Sequence, residues 1–386
     1  MTVEALPLKF AAFYYPGYYQ CKARNLAAGT SIDEWSLLKS GARSVFVETD
    51  EIIPALGYTD ASDPSVIQCE ATLARSHGVD SFIFNFYFDG EKTELDRPLD
   101  AFAQLDLELQ FGLNLCCHMP KRKLPFGVGE DHVSPYSYWT EEQFRALAES
   151  LCDKYFTKPN YLRCGGDAVV TLYHVNAFHY LYGPLGLARR IEILRSVGHS
   201  AGLRFHVVGL FSVTGGWNRL PVECWNLPFD SFSCYVVLPD FESSEPVQSF
   251  PQLATRWIQQ MSEPTLGPDG QTLVSCVGSG WNATPRGRAG YDPKIHGLRF
   301  PYFPIVVDDD PGAFEEYLEA TVRHTLTDSR YFSGLLLLGP WNEWSEGCFL
   351  LPDQRYGLGK LQAVKRVKDR LLACCPTNIT RDCAVV

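Results

Sequence analysis

The chain has 386 residues, 46% of them hydrophobic, enough to bury a large core. Its net charge of −11 at pH 7 argues against nonspecific binding to nucleic acid and against an anionic membrane surface. No stretch approaches the roughly 18 consecutive apolar residues of a membrane span. The opening residues, Met1 to Phe10, lack a basic region followed by an apolar one, so no signal peptide is expected. The 13 cysteines are odd in number, fall mostly in apolar runs such as those around Cys116, Cys234 and Cys276, and form no Cys-x-x-Cys pair. They read as buried free thiols in a reducing, cytoplasmic setting, with no structural metal and no cofactor expected.

One pattern repeats along the chain: a short apolar run, a polar or aromatic break, then a helical period. The first strand is predicted at Lys9 to Tyr15, with its helix at Ser65 to His77 after a long loop. The second runs from Ser81 to Tyr87 with a helix at Leu95 to Leu105, and the third from Gln110 to Cys117 with a helix at Thr140 to Tyr155. Ala168 to Tyr173 is the fourth, backed by Leu185 to Ala201, and Arg204 to Phe211 the fifth, followed by an irregular segment. Ser231 to Val236 and Phe250 to Met261 make the sixth unit, Thr272 to Val277 and Pro311 to Thr327 the seventh. Ser333 to Leu338 closes the set with a helix at Gly357 to Leu372. Continuously apolar strands alternating with amphipathic helices imply a parallel sheet covered by helices. Eight such units predict a single α/β domain, a (β/α)8 (TIM) barrel over residues 1–374, with a short tail at 375–386. An open doubly wound sheet would place a glycine-rich phosphate turn after the first strand, where this chain has Tyr14-Tyr15-Pro16-Gly17-Tyr18-Tyr19.

In such barrels chemistry gathers at the carboxyl ends of the strands. Those ends carry Tyr14, Tyr15, Asn85, Tyr87, His118, Tyr173, His174, Tyr235, Trp281 and Asn282, then Trp341, Asn342, Glu343, Trp344 and Glu346. Singly, Tyr173 reads as a packing residue and His174 as a hydrogen-bonded structural one; their placement at one end in several units gives them a functional meaning. Leu335 to Leu338 surfaces directly into Trp341-Asn342-Glu343-Trp344-Ser345-Glu346-Gly347. Two carboxylates three residues apart, between indoles and an amide, suit work on a sugar: indole faces stack on pyranose rings, amides read hydroxyls, and paired carboxyls divide acid and base roles. An ordinary strand-to-helix turn would account for one glutamate but not for the whole string. Core packing is the alternative for Trp341, Trp344, Trp281 and Tyr15 as sugar-stacking residues. Asp308-Asp309-Asp310 before Pro311 reads as a helix start rather than a metal cluster.

The chain resembles the glycoside hydrolase family 99-like, or WbsX-like, group, which is related to the endo-α-mannosidases. The resemblance runs from about Phe10 to about Val364. It rests on Ala12-Phe13-Tyr14-Tyr15-Pro16, Glu34-Trp35, Gly57-Tyr58-Thr59-Asp60 with Asp63-Pro64, Gly78-Val79-Asp80-Ser81-Phe82, Tyr87-Phe88 and Arg97-Pro98-Leu99-Asp100. Its most specific pieces are Thr284-Pro285-Arg286, Trp341-Asn342-Glu343-Trp344-Ser345-Glu346-Gly347 and Pro352-Asp353-Gln354-Arg355-Tyr356-Gly357. The resemblance implies a (β/α)8 fold and cleavage of a glycosidic bond in an oligo- or polysaccharide with retained configuration. It adds Arg286 to the substrate-binding residues. It also implies that Glu343 helps the sugar's own 2-hydroxyl attack C1, giving a 1,2-anhydro intermediate, while Glu346 protonates the leaving oxygen and then activates water.

Three places depart from the family pattern. Cys117-His118-Met119-Pro120-Lys121-Arg122-Lys123-Leu124 stands where the family commonly has Trp-Ala-Asn-Glu-Asn-Trp, Trp281-Asn282-Ala283 where it has Trp-Asp-Asn, and Phe349-Leu350-Leu351 where it has His-Leu-Glu. These motivate an alternative to a hydrolase or transglycosylase, a carbohydrate-binding or scaffolding protein that kept the fold without efficient turnover; the resemblance itself suggests another, a glycosyltransferase-like factor in surface-polysaccharide assembly. Against the latter, no Asp-x-Asp metal pair stands at a strand end. The trio Lys121, Arg122 and Lys123 either complements a carboxylate or phosphate on the substrate or is a solvated charge run.

Overall fold

The computed structural model describes residues 8–28, 31–40, 51–118, 136–211, 225–236, 239–262, 271–286 and 302–374. The Lys121–Lys123 trio, the segment after the fifth strand and the tail at 375–386 lie outside them. Eight parallel strands form the core: β1 (Lys9–Tyr14), β2 (Ser81–Phe88), β3 (Gln110–Cys116), β4 (Asp167–Tyr173), β5 (Phe205–Phe211), β6 (Ser231–Cys234), β7 (Thr272–Val277) and β8 (Tyr331–Leu338). Each pairs with the next, and β1 pairs with both β2 (Ala11 opposite Ser81) and β8 (Phe10 opposite Leu336), so the sheet closes on itself. This is the expected (β/α)8 barrel.

Side-chain alternation along each strand divides the wall into two layers. On β2, Phe82 and Phe84 pack outward against Phe102 of the helix Arg97–Gln104, while Asn85 reaches inward to Asn114 of β3. On β1, Phe13 packs on Tyr235, past the end of β6, whereas Phe10 lies under the Lys368 ammonium of the helix Gly359–Cys374. Register places Asn85 beside Asn114, and Thr171 of β4 donates from its hydroxyl to Asn114 Oδ1 at 2.8 Å. Buried amides in apolar strands are tolerable because each finds a partner.

Helices Pro64–Ser76, Glu141–Leu151 and Pro311–Thr327 start where the sequence supplies caps: Asp63, the Thr140–Gln143 capping box, and Asp310. Asp310 Oδ1 accepts from the Gly312 and Ala313 amides, and Asp309 pairs with Lys360 at 2.8 Å, which accounts for two of the three consecutive aspartates as structural groups. The helix behind β4 runs over Val175–Ser200, longer than predicted. Gly183 leaves the helical region and Pro184 restarts it, so the sequence pattern exposed only the second stretch. The loop after β1 contains two short helices, Lys22–Ala28 and Glu34–Ser40, where the sequence predicted none. The nine cysteines with described side chains are free, all buried except Cys69. Among the described residues no helix is long and apolar enough to cross a membrane, and no group of three His, Cys, Asp or Glu is placed to hold a metal ion.

Candidate active site

After β8 the chain does not run straight into a helix. Asn342–Glu343 pairs antiparallel with Cys348–Phe349 across a 3-10 turn, Trp344–Glu346, making a small hairpin at the barrel mouth. Neighbouring loops bracket it. The Trp341 amide donates to Phe13 O at 2.6 Å, and the Asn342 side chain accepts from the Tyr15 amide and donates to Tyr15 O, both at 2.8 Å. The Asn282 amide donates to Glu346 O at 2.7 Å. The turn closes on Gly347, whose φ of +61° is left-handed; a Cβ there would also lie 2.7 Å from the Asn282 nitrogen. Gly347→Ala is therefore expected to lower the melting temperature and displace Glu346, since a left-handed alanine costs about 1–2 kcal/mol before the clash is counted. Thermal unfolding and sugar binding measured on the variant check this; unchanged values for both would contradict it.

Glu343 is 4% exposed. Its Oε1 accepts from the Tyr235 hydroxyl at 3.2 Å, and Tyr235 in turn accepts from Asn85 Nδ2 at 2.7 Å, so the polar layer inside the barrel continues upward to the carboxyl. Oε2 is buried and has no hydrogen-bond partner among the described residues. Burial, then the neighbouring charge of Glu346, raises the Glu343 carboxyl well above the usual carboxylate range, with Arg286 acting in the opposite direction. Glu346 is different: its side chain is 20% exposed, with Oε1 3.4 Å from Arg286 Nε.

Around the pair stands a wall of aromatic residues. Tyr235 packs on Tyr173 with ring centres 4.8 Å apart, Tyr173 and Tyr87 each meet the His118 ring edge-on, and Tyr87 meets Tyr15. Burial, and then the carboxylates nearby, push the Tyr15, Tyr173 and Tyr235 hydroxyls far above their ordinary range, which keeps them neutral.

The family described as Glycosyltransferase WbsX matches this chain over residues 10–204 and 233–364. The chain belongs to the WbsX family. Two relatives from Xanthomonas campestris pv. campestris, each called uncharacterized protein WxcX, are 25% identical over 95% of this chain. The chain spans about half the length of these curated relatives, 50% of each. Among solved structures, a glycoside hydrolase-like protein aligns over 95% of both chains at 13% identity with a TM-score of 0.62. A GH99 endo-alpha-mannosidase from Bacteroides thetaiotaomicron aligns over 96% of this chain and 98% of its own, at 14% identity and a TM-score of 0.57. The WbsX-family chain thus has the barrel fold of glycoside hydrolases.

Within this WbsX-family barrel the structure brings together Tyr15, Asn85, Tyr87, His118, Tyr173, Tyr235, Arg286, Glu343 and Glu346. It does not bring Tyr14 or Trp341 with them. Strand alternation turns Tyr14 outward onto Phe82 and Phe84, and the Trp341 indole, fully buried against Phe82, donates to Glu70 Oε2 on the helix Pro64–Ser76 at 3.2 Å. Both belong to the layer behind the wall. Trp344 stacks on Phe349 with centres 4.1 Å apart and lies beside Trp35, a core position rather than a sugar platform. Trp281 is buried against Phe241. Asn282 holds the Thr284 amide and hydroxyl, and Asn342 brackets Tyr15. His174 caps the helix Val175–Ser200, its Nδ1 accepting from the Ala177 amide at 3.2 Å. Tyr18, Glu34, Arg24 and Asn114 were not among the residues expected at the mouth. Asn114 had a readable signal, an amide in an otherwise apolar strand at the same height as Asn85.

Proposed function

We propose that this protein is a retaining glycoside hydrolase or transglycosylase acting on an oligo- or polysaccharide, with Glu343 and Glu346 as its acid–base pair. The observation that carries this reading is the Glu343 carboxyl: one oxygen is fixed by Tyr235, and the other is buried without a hydrogen-bond partner among the described residues, beside a second, more open carboxyl. An oriented carboxyl with one unengaged oxygen is suited to a substrate hydroxyl.

In the proposed cycle, Glu343 takes the proton from the sugar's 2-hydroxyl as that oxygen attacks C1. Glu346 donates its proton to the departing glycosidic oxygen, so the C1–O bond breaks as the C1–O2 bond forms. Glu346, now ionised, removes a proton from water or from an acceptor hydroxyl, which opens the 1,2-anhydro ring at C1. Glu343 then returns its proton to O2, and the net configuration is retained. In the protein alone, burial and the charge of Glu346 favour the protonated form of Glu343, so this start requires bound substrate to offset that preference.

A panel of oligosaccharides and aryl glycosides, with product anomers followed by NMR, tests the reading. Turnover with retention is the expected result, and inversion would contradict it. A second reading comes from the family's description as a glycosyltransferase. It requires turnover only with a sugar nucleotide present, and sugar binding without any turnover would instead favour a carbohydrate-binding role. Action on an anionic glycan and a cytoplasmic location remain part of the proposal, the first resting on the Lys121–Lys123 trio in sequence.

A further inference from the structure

We propose that Glu34, at the start of the short helix Glu34–Ser40, is a positioning residue for the carboxyl pair, holding Arg286 and the Ser345 turn in place. The inference rests on the reading above for its catalytic meaning, but its geometry stands apart from it. Glu34 is 1% exposed, and four donors converge on its two oxygens. Oε1 accepts from the Tyr15 hydroxyl at 3.0 Å and from Arg24 at 2.8 Å. Oε2 accepts from the Ser345 hydroxyl at 2.6 Å and from Arg286 at 3.0 Å. Arg286 Nε also donates to Ser345 Oγ at 3.0 Å, so Glu34, Ser345 and Arg286 close a triangle.

Ser345 lies between the two glutamates of the hairpin, and its amide donates to the Tyr18 hydroxyl at 3.1 Å. The triangle thus ties the backbone carrying Glu346 to the loop after β1, some 311 residues away in sequence. It also fixes the cation next to Glu346. Two arginines share one carboxylate: Arg24 balances Glu34, which leaves the charge of Arg286 to act on the pair. The ionisable groups around Glu34 are Arg24, Arg286, Tyr15, Tyr18, Glu343 and Glu346. Burial opposes its ionisation, but Arg286, Arg24 and the Ser345 and Tyr15 hydrogen bonds outweigh it and bring the carboxyl down to about 2. Glu34 therefore stays charged across the working range and exchanges no proton itself. Its charge is also one of those that raise Glu343.

The test is Glu34→Gln, which preserves shape and removes the charge. Carbon-13 carboxyl NMR on glutamate-labelled protein, with Glu343 assigned by its loss in Glu343→Gln, reads the Glu343 titration without any substrate. With the anion gone and two cations left, the Glu343 midpoint should fall by about one pH unit or more. On any substrate found, kcat should fall about 10- to 100-fold with KM changed little, as expected for a mispositioned acid–base group. A folded variant with an unmoved midpoint overturns the inference. A protein without hydrolase activity but with a shifted midpoint refutes the functional reading and leaves the electrostatic role of Glu34 standing. If Glu34→Gln does not fold, Ser345→Ala decides, because it cuts the same tether and leaves every charge in place. Amide hydrogen exchange over Trp344–Gly347 should then quicken about tenfold or more, and unchanged exchange overturns the proposal.

Discussion

Glutamine at position 343 or 346 should lower turnover by about 100- to 10,000-fold, the usual contribution of a positioned acid or base, while the barrel stays folded. The two variants should part company on activated substrates. A good leaving group departs without a proton, so an aryl glycoside with a low-pKa phenol should partly rescue the first step of Glu346→Gln. It should do nothing for Glu343→Gln, because attack by the 2-hydroxyl still lacks its base. Rates for both variants within a few-fold of wild type on every substrate would remove the pair from the mechanism. Rescue of Glu343→Gln instead of Glu346→Gln would exchange their roles, the arrangement toward which the proton-holding environment of Glu343 already leans.

A second large effect should appear in stability rather than in rate. Glu70 is buried on the inner face of the helix Pro64–Ser76, where burial pushes its carboxyl up to about 7 against the favourable contacts of Tyr14 and Trp341. A carboxyl raised in the folded state contributes its full share below the unfolded value near 4.5, and that share is lost as pH rises towards 7. The shift corresponds to about 3 kcal/mol. Glu70→Gln keeps an oxygen for the Trp341 indole and cannot ionise. Its unfolding free energy relative to wild type should therefore improve between pH 4.5 and pH 8, by up to about 3 kcal/mol. Urea unfolding of both proteins across that range isolates the effect, because other titrating groups are common to the two. Parallel pH profiles would show that Glu70 does not carry it. Glu34 acts with the opposite sign and in another window, since its lowered carboxyl contributes stability that is lost only as pH falls below about 4.5 towards 2.

The barrel was legible in the sequence because eight buried strands each leave a continuous apolar run, and helices such as Pro64–Ser76, Glu141–Leu151 and Pro311–Thr327 carry both period and caps. The place of Glu343 and Glu346 just past β8 was legible because the apolar run Leu335 to Leu338 surfaces directly into them. What failed was the assumption that every polar aromatic at a strand end faces the mouth. Tyr14 and Tyr15 are neighbours, and consecutive residues of a strand point to opposite faces, so only one of them could do so. Phe10 and Tyr14 lie on the same side of β1, and the period of two assigns Tyr14 outward. His174 failed for another reason: a histidine just before a helix can spend a ring nitrogen on the first turn. Arg24 was not visible as a site residue, and Glu34, though part of the Glu34-Trp35 piece of the resemblance, had no role readable there, because the meaning of both is tertiary. Nothing local distinguishes a glutamate opening a short helix from a solvent-facing one, and Glu34 meets Ser345 and Arg286 only once the barrel has closed.

Both proposed catalytic carboxyls ride on one hairpin of eight residues, Asn342 to Phe349, rather than on separate strands. Their mutual placement is therefore set first by local chain geometry, and the loops after β1 and β7 brace it through Glu34, Asn282 and Arg286. Outside those braces, the loops rising from the other strands are free to lengthen, shorten or change charge around the hairpin. A scaffold of this kind separates what is done to a bond from which bond is offered. Retargeting it to another glycan becomes a problem of reshaping rim loops around an unaltered chemical unit.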